Sequence, residues 1–477
     1  MSGSDASSPP LELSPEEFRG LVEAATARIE DYLRALPRMA SADPSRGAAL
    51  AREIREERPP ERGTPFGSLL DLLFDRVIPA SFCTAGPGYL AYIPGGGIPA
   101  AAVADLIADA TNRYVGVWAA APGLAQIEAD VVAWFAGIVG YPASARGVLT
   151  SGGSISNFSA IVTARREKLP ADFLSGMLYV SDQTHHSVAK AAMLAGFPPE
   201  NVRSIPSDAK FRIRLDSLAE RIAADRAAGA VPFLVVGNAG TTNTGAVDDL
   251  RGLAGLARRE GLWYHVDAAY GGFFALTEEG RATLAGIEES DSTILDPHKG
   301  LFLPYGTGCL LVRDGAALKR AHALTADYLP EMREEEEFVD FCQISPELSR
   351  DWRGLRVWLP VRLHGLAAFR ESLREKLALA RVAGDALRRM PEIEISAYPQ
   401  LSIVAFRRVW PGRGTEETNA ANRRILAAVN ARGRVHVTGT MLGPDFAMRI
   451  CVLSFRTHRD RIDMALEDIR RAVQDEE

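Results

Sequence analysis

From Ser14 onward the apolar positions Phe18, Leu21, Val22, Ala25 and Ile29 recur every three or four residues, the spacing of one helical face. Ser14-Pro15-Glu16-Glu17 supplies a cap, a proline at the first helical position and acidic first-turn residues. RPPERGTPFG (58–67) breaks this pattern, and a second helix-like stretch covers 66–77. The front part is too thin to bury its own apolar stripe, so it is expected to pack on another domain or a second subunit. Residues 1–13 are small, polar and proline-bearing and read as a loose tail.

From about residue 100 to 313 the pattern changes. Short apolar, β-branched or aromatic runs at 177–181, 233–237, 263–266, 293–295 and 309–312 alternate with helix-like stretches such as 215–228 and 250–260. Non-alternating strands separated by helices predict an α/β domain with a mainly parallel sheet covered on both faces. In such sheets chemistry gathers at the carboxyl ends of the strands. Beyond 313 lies an irregular acidic stretch, 325–349, then a long helical pattern over 355–389. A small α+β unit closes the chain, with strand-like runs at 401–406, 434–438 and 447–453, a helix at 416–431 and a last helix from Arg459. The resulting division is an N-terminal helical segment (1–98), a large α/β domain (99–356) and a small C-terminal α+β domain (357–477).

Composition narrows the function. The 477 residues are 47% apolar and 24% charged, the balance of a soluble globular chain. A net charge of 54 − 61 = −7 disfavours tracking a nucleic acid backbone. No uninterrupted apolar run reaches the roughly eighteen residues of a membrane span. The start, MSGSDASSPP, has neither the basic nor the apolar region of a secretory signal. Cys83, Cys309, Cys342 and Cys451 lie far apart, so a reduced, cytoplasmic enzyme is expected. With no HExxH and no Cys/His grouping at zinc spacing, no metal site is expected.

Four short motifs carry chemistry. In ILDPHKGLFLPYGTG, Lys299 sits among Leu295, Leu301, Phe302 and Leu303, where desolvation would disfavour its ammonium form and leave an amine able to form a Schiff base. In HVDAAYGG, Asp267 ends a buried run and is followed by small residues that let something flat approach the backbone. The separation 299 − 267 = 32 allows one crossover, which places both side chains at neighbouring strand ends. TSGGSISN (150–157) opens a helix with glycines and hydroxyls, offering free N–H groups and the positive end of the helix dipole to a phosphate. It lacks the P-loop lysine and the GxGxxG of a dinucleotide fold. In SDQTHHS (181–187), His185 follows a strand and could stack on a planar ring. Each motif alone also admits a structural reading: a snorkelling lysine, a helix cap, a capped turn, a loop histidine. Together, a phosphate cradle, a stacking ring, a carboxylate for a ring nitrogen and a carbonyl-trapping amine describe pyridoxal 5′-phosphate.

The order of these motifs resembles the group II pyridoxal-phosphate-dependent amino-acid decarboxylases, which include aromatic-L-amino-acid, histidine and glutamate decarboxylases. The resemblance runs from about Tyr89 to Arg456 and is strongest at SGGSISN, SDQTHHSV, GNAGTTNTGAVDD, HVDAAYGG and DPHKG. It implies fold type I of the pyridoxal-phosphate enzymes, the aspartate-aminotransferase-like fold with a seven-stranded, mainly parallel sheet. It also implies a homodimer acting on a small amino-acid substrate. By the family pattern Lys299 would bind the cofactor covalently, Asp267 would keep the pyridine nitrogen protonated and His185 would stack on the ring. Ile155 and Ser156 match the phosphate cradle, Thr242 a cofactor contact, Ala269 the small residue beside the ring, and His298 the histidine before the lysine. Asp296 departs from relatives that have Asn near the phosphate; repulsion between two anions would leave it turned away or protonated.

The segment TADYLP resembles the start of the family's catalytic loop, where Tyr328 would protonate the carbon that has lost carbon dioxide. Relatives that form an aldehyde often have Phe there, so Tyr328 favours an amine product. Thr84, Tyr92, Pro94 and Tyr114 align with the side-chain pocket. Thr84, Ile93 and Gly116 stand where aromatic-acid decarboxylases carry large rings, which suits an indole or a bulky aliphatic side chain. Arg350, Arg353 and Arg449 receive no catalytic role. The expected activity is decarboxylation of an L-amino acid to an amine and carbon dioxide. The alternatives are an aldehyde-forming or carbon–carbon-cleaving enzyme of the same fold, and an inactive scaffold.

Overall fold

The computed structural model describes residues 11–42, 47–56, 58–324 and 338–476. The first helix, Pro15–Ala35, starts as its sequence predicts: Ser14 accepts from the Glu17 N–H, and Glu17 accepts in return from the Ser14 N–H. None of its residues is buried within the chain, and Phe18 and Ile29 are each 44% exposed.

Seven strands form the large sheet: β1 (Arg146–Thr150), β2 (Gly176–Ser181), β3 (Val202–Ile205), β4 (Val231–Asn238), β5 (Trp263–Asp267), β6 (Ser292–Leu295) and β7 (Gly308–Val312). Their order is β1-β7-β6-β5-β4-β2-β3, and β7 alone runs antiparallel to its neighbours. The mainly parallel sheet expected from the sequence is present, and all five strand-like runs lie in it. The runs missed are β1 and β3. β1 begins Arg-Gly, and β3 (VRSI) has an exposed serine at the sheet edge, so neither carries a continuous apolar signature. β7 reverses because the connection from β6 holds one turn of helix, Pro297–Gly300, rather than a crossover helix.

Helices cover both faces. Pro122–Val139, Leu215–Ala227 and Leu250–Glu260 pack Val131, Phe135, Leu218 and Leu253 on one side, with Tyr264 and Val266 of β5. Gly153–Lys168 and His186–Leu194 pack Ala160, Ile161, Ala164 and Ala191 on the other, with Trp263. Pro122–Val139 is long and apolar enough to cross a membrane, yet here it is a core helix, its Val131, Phe135 and Val139 buried against the sheet.

The small C-terminal unit is a four-stranded antiparallel sheet of β8 (Ile393–Ala397), β9 (Ile403–Arg408), β10 (Thr438–Leu442) and β11 (Asp445–Cys451), ordered β10-β11-β9-β8. Helices Thr415–Ala431 and Arg459–Asp475 close its core. The strand expected at 434–438 lies further on, at β10. Residues 434–437 instead meet the segment before the large domain: Leu90 N–H donates to the His436 carbonyl, and His436 N–H to that of Gly88. The long helix Gly354–Arg388 is broken at Gly365, whose φ of 72° only glycine adopts freely.

Candidate active site

Six strands of the large sheet point one way, and the chemistry-bearing motifs follow the carboxyl ends of β1, β2, β4, β5 and β6. They enclose a cavity of about 260 Å³ lined by the 151–155 turn, Asn157, His185, Thr242, Asp267, Ala269, Asp296, His298 and Lys299, among others.

Asp267 is the last residue of β5 and lies in register with Ile294 of the adjacent β6, whose next turn carries Lys299. The spacing expected for neighbouring strand ends is the spacing found. Asp267 Oδ1 accepts from the Ala269 N–H at 3.2 Å, and Oδ2 accepts from Asn157 Nδ2 at 3.3 Å.

Lys299 corrects one expectation. Its Nζ lies 2.8 Å from Asp296 Oδ2. Burial opposes the ammonium charge, but the charge of Asp296, its hydrogen bond and the charge of Asp267 outweigh it, and the amine is held above the ordinary lysine range. Desolvation alone does not free this amine. Asp296 corrects a second. Its carboxylate is turned into the cavity, with Oδ2 toward Lys299 and 3.7 Å from His298 Nε2, and its buried Oδ1 has no hydrogen-bond partner. The lysine supplies the positive charge that makes this burial tolerable. His298 donates from Nδ1 to the Thr307 carbonyl at 2.6 Å.

The turn after β1 is closed from within. Thr150 Oγ1 meets Ser156 Oγ at 2.7 Å and accepts from the Gly152 N–H at 3.2 Å. Helix Gly153–Lys168 then opens at the cavity; the Ile155 and Ser156 N–H groups donate back to the Gly152 carbonyl at 3.1 and 3.2 Å, and the N–H groups of Gly153 and Ser154 have no carbonyl a turn behind them. A Cβ on Gly153 would lie 3.1 Å from Asp296 Oδ2 and 3.5 Å from Ala269 Cβ, filling the space between them. Gly308 lets β7 start directly against the Gly152 backbone: its Cβ would stand 2.6 Å from Gly152 Cα.

His185 caps helix His186–Leu194, its Nδ1 receiving the Ser187 N–H at 3.2 Å and meeting Ser187 Oγ at 2.8 Å. Burial first, then the positive charge of Lys299, pushes its pKa below that of a free histidine, against the opposing pull of Asp267.

Other sequence-derived residues stand apart from the cavity wall. Ser156 is buried beneath the turn, its hydroxyl engaged by Thr150. Pro94 is buried and Thr84 half-buried. Tyr92 is 54% exposed with φ 49°, and its carbonyl accepts from Arg449. The segment they share leans on the lysine loop, for a Cβ on Gly95 would collide with the His298 carbonyl. Tyr114 donates to the Leu348 carbonyl at 3.0 Å and folds over Gly116, where a Cβ would lie 2.5 Å from its Oη. The ring thus fills the space left by the missing side chain. Tyr328 lies outside the described residues. Sequence reasoning gave no role to Asn157, Ser187 or His265, although all three stand in or beside quoted motifs. Nothing in their local spacing marks them; the signal is a network between strands.

A lysine amine, a carboxylate at a strand end and a glycine-opened helix converging on one cavity match a pyridoxal-phosphate enzyme of fold type I. The comparisons with known proteins agree. A family model described as the pyridoxal-dependent decarboxylase conserved domain matches residues 60–409. An aromatic-L-amino-acid decarboxylase of Bacillus atrophaeus is 35% identical over 94% of this chain and 93% of its own length. Tryptophan decarboxylase 1 of Oryza sativa subsp. japonica is 31% identical over 97% and 94%. The crystal structure of Oryza sativa TDC with PLP and tryptamine superposes with a TM-score of 0.92 at 29% identity, covering 98% of this chain and 99% of that one. The chain belongs to the pyridoxal-dependent decarboxylase family. It is a carboxy-lyase whose cofactor is pyridoxal 5′-phosphate.

Proposed function

We propose that this enzyme releases carbon dioxide from an L-amino acid with an aromatic or similarly bulky side chain, leaving the amine, and that it works as a cytoplasmic homodimer. The observation that carries the reading is the sharing of one cavity by Lys299, Asp267 and the 151–155 turn. The residues fit the cofactor: Gly153 keeps open a cradle that a Cβ would fill, and Asp296 presents an unpartnered oxygen beside the amine. Lys299 would hold the cofactor covalently, Asp267 would keep its ring nitrogen protonated, the opening turn of helix Gly153–Lys168 would take the phosphate, and Thr242, Ala269 and His298 would complete the wall. When bound, the cofactor withdraws the electron pair left behind as the carboxylate departs.

The chain's own groups supply the rest. Lys299 must shed a proton before it acts as a nucleophile, and the 2.8 Å contact with Asp296 Oδ2, which holds that proton on the amine, is the interaction that has to loosen first. His185 has its Nδ1 engaged by Ser187, so its other ring nitrogen is the one available to a substrate carboxylate. Tyr328 is assigned delivery of the final proton, on the resemblance of its loop to the family's. The aromatic preference draws on the relatives' substrates and on Gly116, whose missing side chain leaves space that the Tyr114 ring occupies.

The dimer is supported by the unburied first helix and by an apolar groove of about 550 Å³ that includes Ile98, Val103, Phe302, Leu363 and Phe369. Four buried, unpaired cysteines fit a reducing compartment. The test is to screen the common L-amino acids with the holoenzyme, measuring carbon dioxide and amine alongside hydrogen peroxide and ammonia. Amine equal to carbon dioxide, with an aromatic substrate preferred, is expected; stoichiometric peroxide and ammonia would replace this reading by the aldehyde-forming one. Sedimentation at working concentration should give a dimer, and a fully active monomer would refute that part.

A further inference from the structure

Asp267 and His185 come from different strand ends, yet one side chain holds both. Asn157, 1% exposed in the helix that follows the cradle, donates from Nδ2 to Ser187 Oγ at 3.0 Å and to Asp267 Oδ2 at 3.3 Å. Its Oδ1 lies 2.9 Å from His265 Nε2. A carboxylate only accepts, so the amide nitrogen must be the atom facing Asp267, and the oxygen must face His265. His265 therefore carries its proton on Nε2. Buried and neutral, it has a bare Nδ1 that accepts from Ser292 Oγ at 2.8 Å. The Ser292 oxygen in turn accepts from Trp263 Nε1, at 2.8 Å, a group that can only donate.

At the other end, Ser187 Oγ has accepted from Asn157 and has its own proton to give. The acceptor is His185 Nδ1, which also receives the Ser187 backbone N–H. The donors therefore run in one direction, from Trp263 through Ser292, His265, Asn157 and Ser187 to His185. A neutral His185 with an accepting Nδ1 carries its proton on Nε2.

We propose that Asn157 is a positioning residue which, through Ser187 on one arm and His265 on the other, fixes His185 as the Nε2–H tautomer while anchoring the Asp267 carboxylate. The remaining nitrogen of His185 is then a hydrogen-bond donor, the role suited to a substrate carboxylate. Only that last use rests on the decarboxylase reading; the tautomer does not.

The test is a long-range proton–nitrogen spectrum of holoenzyme with 15N-labelled histidine rings at neutral pH. The His185 signals are identified by their loss in His185→Gln. The wild type is expected to show the Nε2–H form. Ser187→Ala removes the 2.8 Å hydroxyl contact and leaves the backbone N–H, at 3.2 Å, as the one donor to Nδ1; a minor Nδ1–H population should then appear beside the Nε2–H form and kcat should fall roughly tenfold, the scale of one lost hydrogen bond, and Ser187→Thr should restore both. Asn157→Asp, which keeps the acceptor for His265 but removes the donor to Ser187 and Asp267, should weaken retention of the cofactor, read as its dissociation constant. An Nδ1–H signal in the wild type, or an unchanged tautomer in Ser187→Ala, would overturn the proposal. The Nε2–H form in an enzyme that releases no carbon dioxide would uphold it and remove the decarboxylase reading instead.

Discussion

Replacing Arg350 by alanine strands a charge in the protein interior. Arg350 and Glu128 both have side chains with no solvent exposure, and their N–O separation is 2.6 Å. Arg350 also donates to the Leu149 carbonyl at 2.9 Å, two residues before the turn that opens the cavity, and its guanidinium lies 5.0 Å from the centre of the Phe341 ring. Breaking a buried pair by removing one partner costs about 3–5 kcal/mol, because the survivor is left desolvated and uncompensated. Burial raises the pKa of Glu128; Arg350 and the Gly354 N–H pull it down. Burial wins, so the folded-state pKa already lies above the ordinary carboxylate range, and without Arg350 it rises further. Stability of Arg350→Ala is then greatest below the unfolded pKa and falls as pH rises through the folded one.

Urea unfolding followed by tryptophan fluorescence should therefore show a loss of about 3–5 kcal/mol near pH 8 that shrinks toward pH 5. The double variant Glu128→Leu/Arg350→Met, which removes both charges, should recover most of it. A loss below about 1 kcal/mol, or one indifferent to pH, would refute the argument. So would a double variant as unstable as the single.

Lys299→Ala should abolish the visible absorbance of the bound cofactor, and adding Asp296→Asn should raise the urea midpoint of that variant, because Asp296 otherwise keeps a buried charge without its partner at 2.8 Å. Asp267→Asn should fold normally but lower kcat by about 10² or more, since the negative charge, not the shape, is what a ring nitrogen needs; spectroscopy of the loaded enzyme separates lost binding from lost rate. Burial lowers the His265 pKa from 6.5 to about 4. A depressed folded pKa gives stability that is present above the unfolded value and is lost as pH falls through the folded one. At about 1.4 kcal/mol per tenfold, the wild type should lose about 3 kcal/mol between pH 6.5 and 4. A His265→Gln variant should show a flatter acid limb in the same unfolding series.

Much of the site was legible from residue order. Lys299, Asp267, His185 and the 151–155 turn were each found by a local pattern, and all line the same cavity. The strand-like runs were found wherever burial on both faces made them continuously apolar. Elements without that signature were missed: β1 with its leading arginine, β3 at the sheet edge and β8, whose burial is partial. The charge state of Lys299 was misread because the sequence shows its apolar neighbours, while the carboxylate that governs it reaches the amine only through the turn of Pro297–Gly300.

Periodicity and motif spacing are properties of a few consecutive residues, so the chain alone determined its strongly periodic helices, its continuously apolar strands and the chemical character of the site. The direction of β7, the inward turn of Asp296 and the contacts of Asn157 with Asp267 and His265, 110 and 108 positions away, belong to the tertiary structure. Hydrogen bonds between distant strands exist only once packing has excluded water and set donors against acceptors within a few tenths of an ångström.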